Sequence, residues 1–249
     1  QGALAFRLMD NSLAEAALSR ALALFEHQGE PDGLALCLVF SSGLAARRKD
    51  LEHARMQSRQ ALALFEQTGD AWGQSYAWYQ LGLMDSRAGR VNESQSALQT
   101  SLQLARLAGD QRRQIGPLNL LGDLACQFGA YTEAQPYFEE SLAISRLLED
   151  RFNTAQALIN LGTAFQSAGE HARARGCYAE SLAIAHEIGD AANESLALIN
   201  LGELALAAQQ YAESTACLKQ ALALAEEAGD EWAVLICWIA LGDAALGQA

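Results

Sequence analysis

The chain has 249 residues, of which 51% are apolar and only 3 are proline. That balance excludes a disordered segment and leaves room for long uninterrupted helices. The net charge of −13 repels phosphate backbones and argues against direct nucleic-acid binding; no apolar run reaches the roughly 18 residues of a membrane span, and no signal peptide opens the chain.

Alanine and leucine outnumber the β-branched residues, which favours helix over strand. In chain order, the sequence opens near the end of one helix (1–9), and a second is predicted over 11–28. Five helix pairs then start at about 31, 71, 111, 151 and 191, and a final helix covers 231–246. The pairs repeat every 40 residues, and four markers hold the phase. Leucine precedes Gly82, Gly122, Gly162, Gly202 and Gly242. A Gly-Glu or Gly-Asp pair recurs at Gly29, Gly69, Gly109, Gly189 and Gly229, with Glu149-Asp150 in the same place. Small residues recur at Ala14, Ala54, Ser94, Ala134, Ala174 and Ser214, and again at Ala21, Ala61, Ser101, Ser141, Ser181 and Ala221. The hexapeptide Ala-Leu-Ile-Asn-Leu-Gly stands unchanged at 157–162 and 197–202.

Within each unit the apolar residues follow i, i+3, i+4 spacing on both sides of a short polar break, such as Ala168-Gly169-Glu170. Each repeat therefore reads as helix A, a tight turn, helix B and a Gly-Asp closure. The glycine suits a left-handed helix end and the aspartate suits the next N-cap. A glycine inside helix A, at Gly162 or Gly202, costs about 1 kcal/mol against alanine. That cost is tolerable if helix B approaches closely there, with Ala134 and Ala174 expected to supply the small surface. Pro117, after Gly116, is expected either to kink its helix A or to delay its start. Pro136 is placed in the first turn or so of a helix B, where proline is tolerated.

The five cysteines (Cys37, Cys126, Cys177, Cys217, Cys237) contain no C-x-x-C pair and fall on repeat positions. They read as reduced core thiols, which fits a cytoplasmic location. The four histidines share no ligand spacing and read as surface residues. No phosphate-binding glycine loop, catalytic constellation, metal site or cofactor site is legible, so no enzymatic activity is expected. The first residue is Gln rather than Met, which is read as the mark of a fragment.

Trp78, Leu81, Gly82, Ser94, Leu98 and Ser101, then Leu121, Gly122, Ala134, Phe138 and Ser141, then Leu161, Gly162, Phe165, Ala174, Tyr178 and Ser181 resemble the tetratricopeptide repeat. Trp238, Leu241 and Gly242 begin one more unit. The usual repeat has about 34 residues; this one is longer and lacks the proline that ends helix B. Long repeats of this kind resemble the sensor region of MalT-like regulators, the repeats of STAND-class signal-transduction ATPases, Rap-type regulators and kinesin light chains. The resemblance implies an all-α fold, a right-handed α–α superhelix (a solenoid) of about six helix-turn-helix repeats, as a single domain over 1–249.

It also implies a concave binding face lined mainly by helix A. The matching positions are Tyr76, Tyr79, Gln80, Leu83 and Arg87; Asn119, Asp123 and Gln127; Gln156, Asn160, Thr163 and Gln166; and Asn200 and Glu203. Asn160 and Asn200 either clamp a ligand, since an amide both donates and accepts, or bond the neighbouring repeat. Tyr76 and Tyr79 are candidates to face the groove, and Trp78 holds a core position. Asp123, Glu203 and Asp243 make the groove acidic, which fits a basic or neutral partner. The expected partner is a protein, a peptide or a small ligand, with no direct nucleic acid and no membrane, and with effector domains flanking the segment. The expected function is the sensor or interaction arm of a cytoplasmic signalling or transcription regulator; the alternative is a constitutive scaffold that joins two proteins without sensing.

Overall fold

The computed structural model describes residues 11–247. Among them are twelve helices and no strand. They are α1 Asn11–Gln28, α2 Pro31–Arg47, α3 Leu51–Thr68, α4 Ala71–Arg87, α5 Val91–Leu107 and α6 Gln111–Gln127. The second half of the chain holds α7 Tyr131–Leu147, α8 Arg151–Ser167, α9 His171–Ile188, α10 Ala191–Ala207, α11 Tyr211–Ala228 and α12 Glu231–Gly247. Even-numbered helices are the A helices and odd-numbered ones the B helices. The helix expected over 1–9 lies outside the described residues.

The chain divides into two compact units, Gln1–Leu124 and Ala125–Ala249. Inside each, consecutive helices pack on one another, from α1 to α5 in the first and from α7 to α12 in the second. A helices also touch the next A helix, α2 on α4 in the first unit, α8 on α10 and α10 on α12 in the second. No two B helices of one unit do so among the described residues. Each unit is therefore an all-α stack of helical hairpins in which the A helices sit closer together than the B helices.

The helix ends follow from the closures. Gly69, Gly189 and Gly229 take left-handed backbone (φ 74°, 69° and 69°) and end α3, α9 and α11. Glu149 takes the same region at φ 52°, a costlier choice for a residue with a Cβ. The Asp50, Asp70, Asp150, Asp190 and Asp230 carboxylates each accept a backbone N–H of the first turn that follows, satisfying donors the helix cannot. Glu30 makes no such cap, and Pro31 opens α2 instead.

Hydroxyl groups tie A to B. The Ser101 Oγ donates to the Ser75 carbonyl at 2.7 Å and the Ser181 Oγ to the Ala155 carbonyl at 2.9 Å, each across 26 residues. The Ser94 Oγ donates to the Gly82 carbonyl at 2.8 Å. Between them lie Tyr178, Phe138, Phe65 and Leu98, all essentially buried.

Three expectations change. α6 begins at Gln111 and continues through Pro117 to Gln127, so the helix does not start late. Pro136 is the sixth residue of α7, one turn further in than expected. The surface that meets the A-helix glycines is a large side chain, not a small one. A Cβ on Gly162 would lie 2.6 Å from the Tyr178 ring, and one on Gly82 or Gly202 would lie 2.7 or 2.8 Å from Leu98 or Leu218. The small residues Ala174, Ser94 and Ser214 stand one turn earlier and let the B helix come near enough for that contact. Of the cysteines, Cys37 and Cys237 are buried and the other three half-buried, all as free thiols. No helix among the described residues is long and apolar enough to cross a membrane.

Candidate functional site

In the first unit the A-helix side carries an aromatic cluster. Tyr76 and Tyr79, one turn apart on α4, stack with ring centroids 6.4 Å apart and planes 11° from parallel. Phe40 of α2 meets Tyr76 edge-on at 6.3 Å, and Trp72 tilts against it at the same separation. The Arg113 guanidinium of α6 lies 3.5 Å from the Trp72 ring centroid and 4.6 Å from that of Tyr76, a cation–π arrangement. Its Nε is buried without a hydrogen bond. Burial lowers the Arg113 pKa, with Asp110 opposing the shift. The Tyr79 ring rests where a Cβ on residue 116 would stand, 2.8 Å away. Gly116 is thus the seat of that ring.

The predicted residues of this unit divide. Gln80 is only 6% exposed and donates to the Tyr76 hydroxyl at 3.3 Å, so it braces the cluster from beneath. Leu83 packs on the Ala45, Ala46, Ala54 and Met84 core, and Arg87 is exposed at the end of α4. Asn119 and Asp123, one turn apart on α6, are half-buried. The Asn119 Oδ1 has no hydrogen-bond donor. Burial pushes the Asp123 carboxyl up to about 6. Burial also raises the Tyr79 pKa, helped by Tyr76 and by Asp123, so the tyrosine and the carboxyl share one environment.

The second unit offers amides and hydroxyls in place of rings. The Gln156 Nε2 donates to the Asn160 Oδ1 at 3.1 Å. The Tyr178 hydroxyl reaches the Thr163 Oγ1 at 3.2 Å and the Gln166 Oε1 at 2.9 Å, while Thr163 donates to the Ile159 carbonyl. Burial pushes the Tyr178 hydroxyl up to about 12, so it stays a donor. Asn160, Thr163 and Gln166 therefore make their hydrogen bonds inside one repeat. Asn200 makes none among the described residues, and Glu203, raised by burial, has no ion pair there. Gln127 is exposed.

Sequence reasoning missed Phe40, Trp72 and Arg113. A signal for Arg113 was present. Gly33 and Gly73 occupy its position in the two preceding repeats, where a Cβ would strike the Phe25 and Phe65 rings at 2.4 and 2.2 Å. The residue matching those phenylalanines before α6 is Ala105. The exchange of a large residue on helix B for a large residue on helix A is readable in the sequence.

Residues 113–187 match the tetratricopeptide repeat family model. No curated protein matches the chain. Among solved structures it resembles BtubC (BKLC) from P. vanneervenii, with 21% identity and a TM-score of 0.75 over 88% of this chain and 91% of that one. It also resembles a Rap protein complexed with competence and sporulation factor, with 15% identity and a TM-score of 0.73 over 90% of this chain and 60% of that one. The apo quorum sensor NprR from B. thuringiensis is similar at 15% identity and a TM-score of 0.73, over 96% and 68% of the two chains. NprR in complex with its cognate peptide NprX matches at 15% identity and a TM-score of 0.66, over 91% and 65%. At these identities the likeness is one of fold: all-α tetratricopeptide-like helical repeats.

Proposed function

We propose that the chain is a single repeat domain, residues 1–249, that binds an extended protein or peptide segment along the concave side lined by its A helices. In this reading it is the sensor or interaction arm of a larger cytoplasmic signalling or transcription regulator, of the MalT-like or STAND kind, with effector domains flanking it. One observation carries the proposal. Glu180 and Glu213 on the B helices of the second unit pair with arginines, Arg146 at 2.5 Å and Arg175 at 2.6 Å, and Asp85 on α4 is held by two. Asp123 and Glu203 on the A helices have no cation, although burial raises both.

Carboxylates left half-desolvated without a counter-charge are completed by a ligand that brings one. The free amide of Asn200 adds a group able to hold the backbone of an extended segment. The aromatic cluster of the first unit supplies an apolar surface with polar edges, the kind that dominates binding energy at interfaces. Rap crystallised with competence and sporulation factor and NprR with the peptide NprX, so folds of this kind do hold peptides. Occupancy then shifts the population of repeat arrangements that the effector domains read.

The test is a randomised peptide library on the immobilised protein, followed by calorimetry on the enriched sequences. Enrichment in Lys and Arg is expected, and Asp123→Asn with Glu203→Gln should weaken the best peptides by about tenfold or more. Enrichment in acidic peptides, or affinities unchanged in the double variant, would refute the assignment.

A further inference from the structure

Between Trp232 and Gly247, helix α12 carries a single charged residue, Asp243. A helix apolar on all sides is one that is buried on all sides, and α12 is buried on only one. Ala233, Cys237, Ala240 and Ala244, spaced 4, 3 and 4 residues apart, are buried, the first two in a core shared with α10 and α11. The opposite face presents Trp232, Leu235, Ile239, Gly242 and Leu246, spaced 3, 4, 3 and 4 residues apart, with Trp238 beside them. Each of the five large side chains there is half or more exposed. That spacing is the a/d seam of a coiled coil, and it lies open among the described residues.

The other A helices show what such a seam is built to receive. Their glycine is a seat: a Cβ on Gly82, Gly162 or Gly202 would strike Leu98, Tyr178 or Leu218 of the following B helix, whereas one on Gly242 meets nothing within 4 Å. Seven residues before the glycine stand Ala35, Ser75, Ala155 and Ser195, all buried. Their small size lets the B helix close in, and the Ser101 and Ser181 hydroxyls reach the carbonyls of Ser75 and Ala155. Ile115 is the one large residue at that place in those helices, and α12 has Leu235 there. Thus α12 keeps the empty seat but raises a ridge where α4, α8 and α10 admit a B helix. The seam suits a helix that brings a large side chain to Gly242 and an apolar one to the ridge.

We propose that this helix is α12 of a second copy of the chain, paired antiparallel about a two-fold axis. In that register Trp232 of each copy enters the Gly242 seat of the other, and Leu235 of each packs on Ile239 of the other, so every contact is made twice. A parallel pair would set tryptophan against tryptophan and glycine against glycine, and would align the two helix dipoles unfavourably. Large side chains cover about 150–250 Å² each, so five that are half or more exposed present on the order of 600 Å² per copy. Pairing two copies then buries on the order of 1,200 Å², the size at which specific interfaces begin. The seam itself carries no charge, so the pairing is apolar, and it is opposed only by the long-range repulsion of two chains of −13.

The test is sedimentation equilibrium of the full chain from about 1 to 200 µM, where an interface of this size should give a dimer with a Kd of about 1–10 µM. Added salt should tighten the dimer, because it screens the net charge and leaves the apolar contact intact. Ile239→Glu, an exposed position, should give a monomer throughout that range with the helical circular dichroism unchanged. Gly242→Leu, which fills the seat meant for Trp232, should weaken the dimer about tenfold or more. Leu107→Ser, on the exposed end of α5, should leave the Kd within about twofold. A monomer at 200 µM would leave the seam to a helix of other origin and overturn the proposal. So would a dimer that survives Ile239→Glu, one that Gly242→Leu tightens, or one that salt dissociates.

Discussion

Gly162 and Gly176 lie fourteen residues apart in consecutive helices and bear opposite meanings. A Cβ at Gly162 would stand 2.6 Å from the Tyr178 ring, whereas one at Gly176 meets nothing within 4 Å. The ring is fully buried and its hydroxyl is committed to Thr163 and Gln166, so it has no free direction in which to yield. Gly162→Leu is therefore expected to destabilise the second unit by at least about 2 kcal/mol through overpacking. Gly176→Ala removes only the helix penalty of glycine and should stabilise by about 0.5–1 kcal/mol. Urea denaturation of the two variants checks both signs. A stable Gly162→Leu would mean that the close approach of A and B helices is not what the glycine serves. The same contact explains the unchanged hexapeptide: Leu158, Leu161 and Gly162 are core, and Asn160 bonds only to Gln156 one turn away. The stacking role offered for Asn160 thus finds no bond to a neighbouring repeat, and Asn200 has no bond of either kind.

At the scale of elements, α3, α4 and the start of α5 are joined by one buried charge. Asp85 reaches Arg55 on α3 and Arg90 at the N-cap of α5, and Arg90 in turn holds Glu52. In the other repeats described, Ala45, Ala125, Phe165, Ala205 and Ala245 fill the place of Asp85, so the network belongs to this hairpin alone. Removing one member of a buried ionic group leaves the others unpaired, which costs about 3–5 kcal/mol. Asp85→Ala should lower the stability of the first unit by that order in urea denaturation. A loss near that of an exposed ion pair, under about 1 kcal/mol, would show that Arg55 and Arg90 find water or another acceptor. The surface pairs Arg146–Glu180 and Arg175–Glu213 are of the weaker kind, with side chains 40–51% exposed.

For the whole molecule, acidity acts on folding as well as on partners. The chain carries −13, and burial pushes Asp123 up to about 6 and raises Glu203. A carboxyl whose folded pKa exceeds its unfolded one binds its proton more tightly when folded. The folded state therefore gains as pH falls from about 6 towards 4, and that gain is lost as pH rises through about 6. Asp123→Asn should raise the melting temperature at pH 8 and change it little at pH 4.5, a window set by those two pKa values. A shift equal at both pH values would mean that the carboxyl is not desolvated. A basic peptide that keeps Asp123 ionised should lower its apparent pKa on binding, which links this measurement to the proposed function.

The sequence determined the period, the starts of the five helix pairs and the extents of the first and last described helices, their closures by glycine and aspartate, and the solvent-exposed histidines. These are local properties: a 40-residue phase and a 3.6-residue pitch are written in the order of side chains. Tertiary structure alone decided what meets each glycine, since Tyr178 lies sixteen residues from Gly162 and only the hairpin brings them together. It decided that Leu83, half-buried, packs on the core and that Thr163 and Gln166 are bound to Tyr178. It also gathered Phe40, Trp72, Tyr76 and Arg113 from three helices, and left a cavity beside Asp85. Such facts depend on distances between helices, and a repeat pattern specifies those only through the sizes of the side chains that fill the gap.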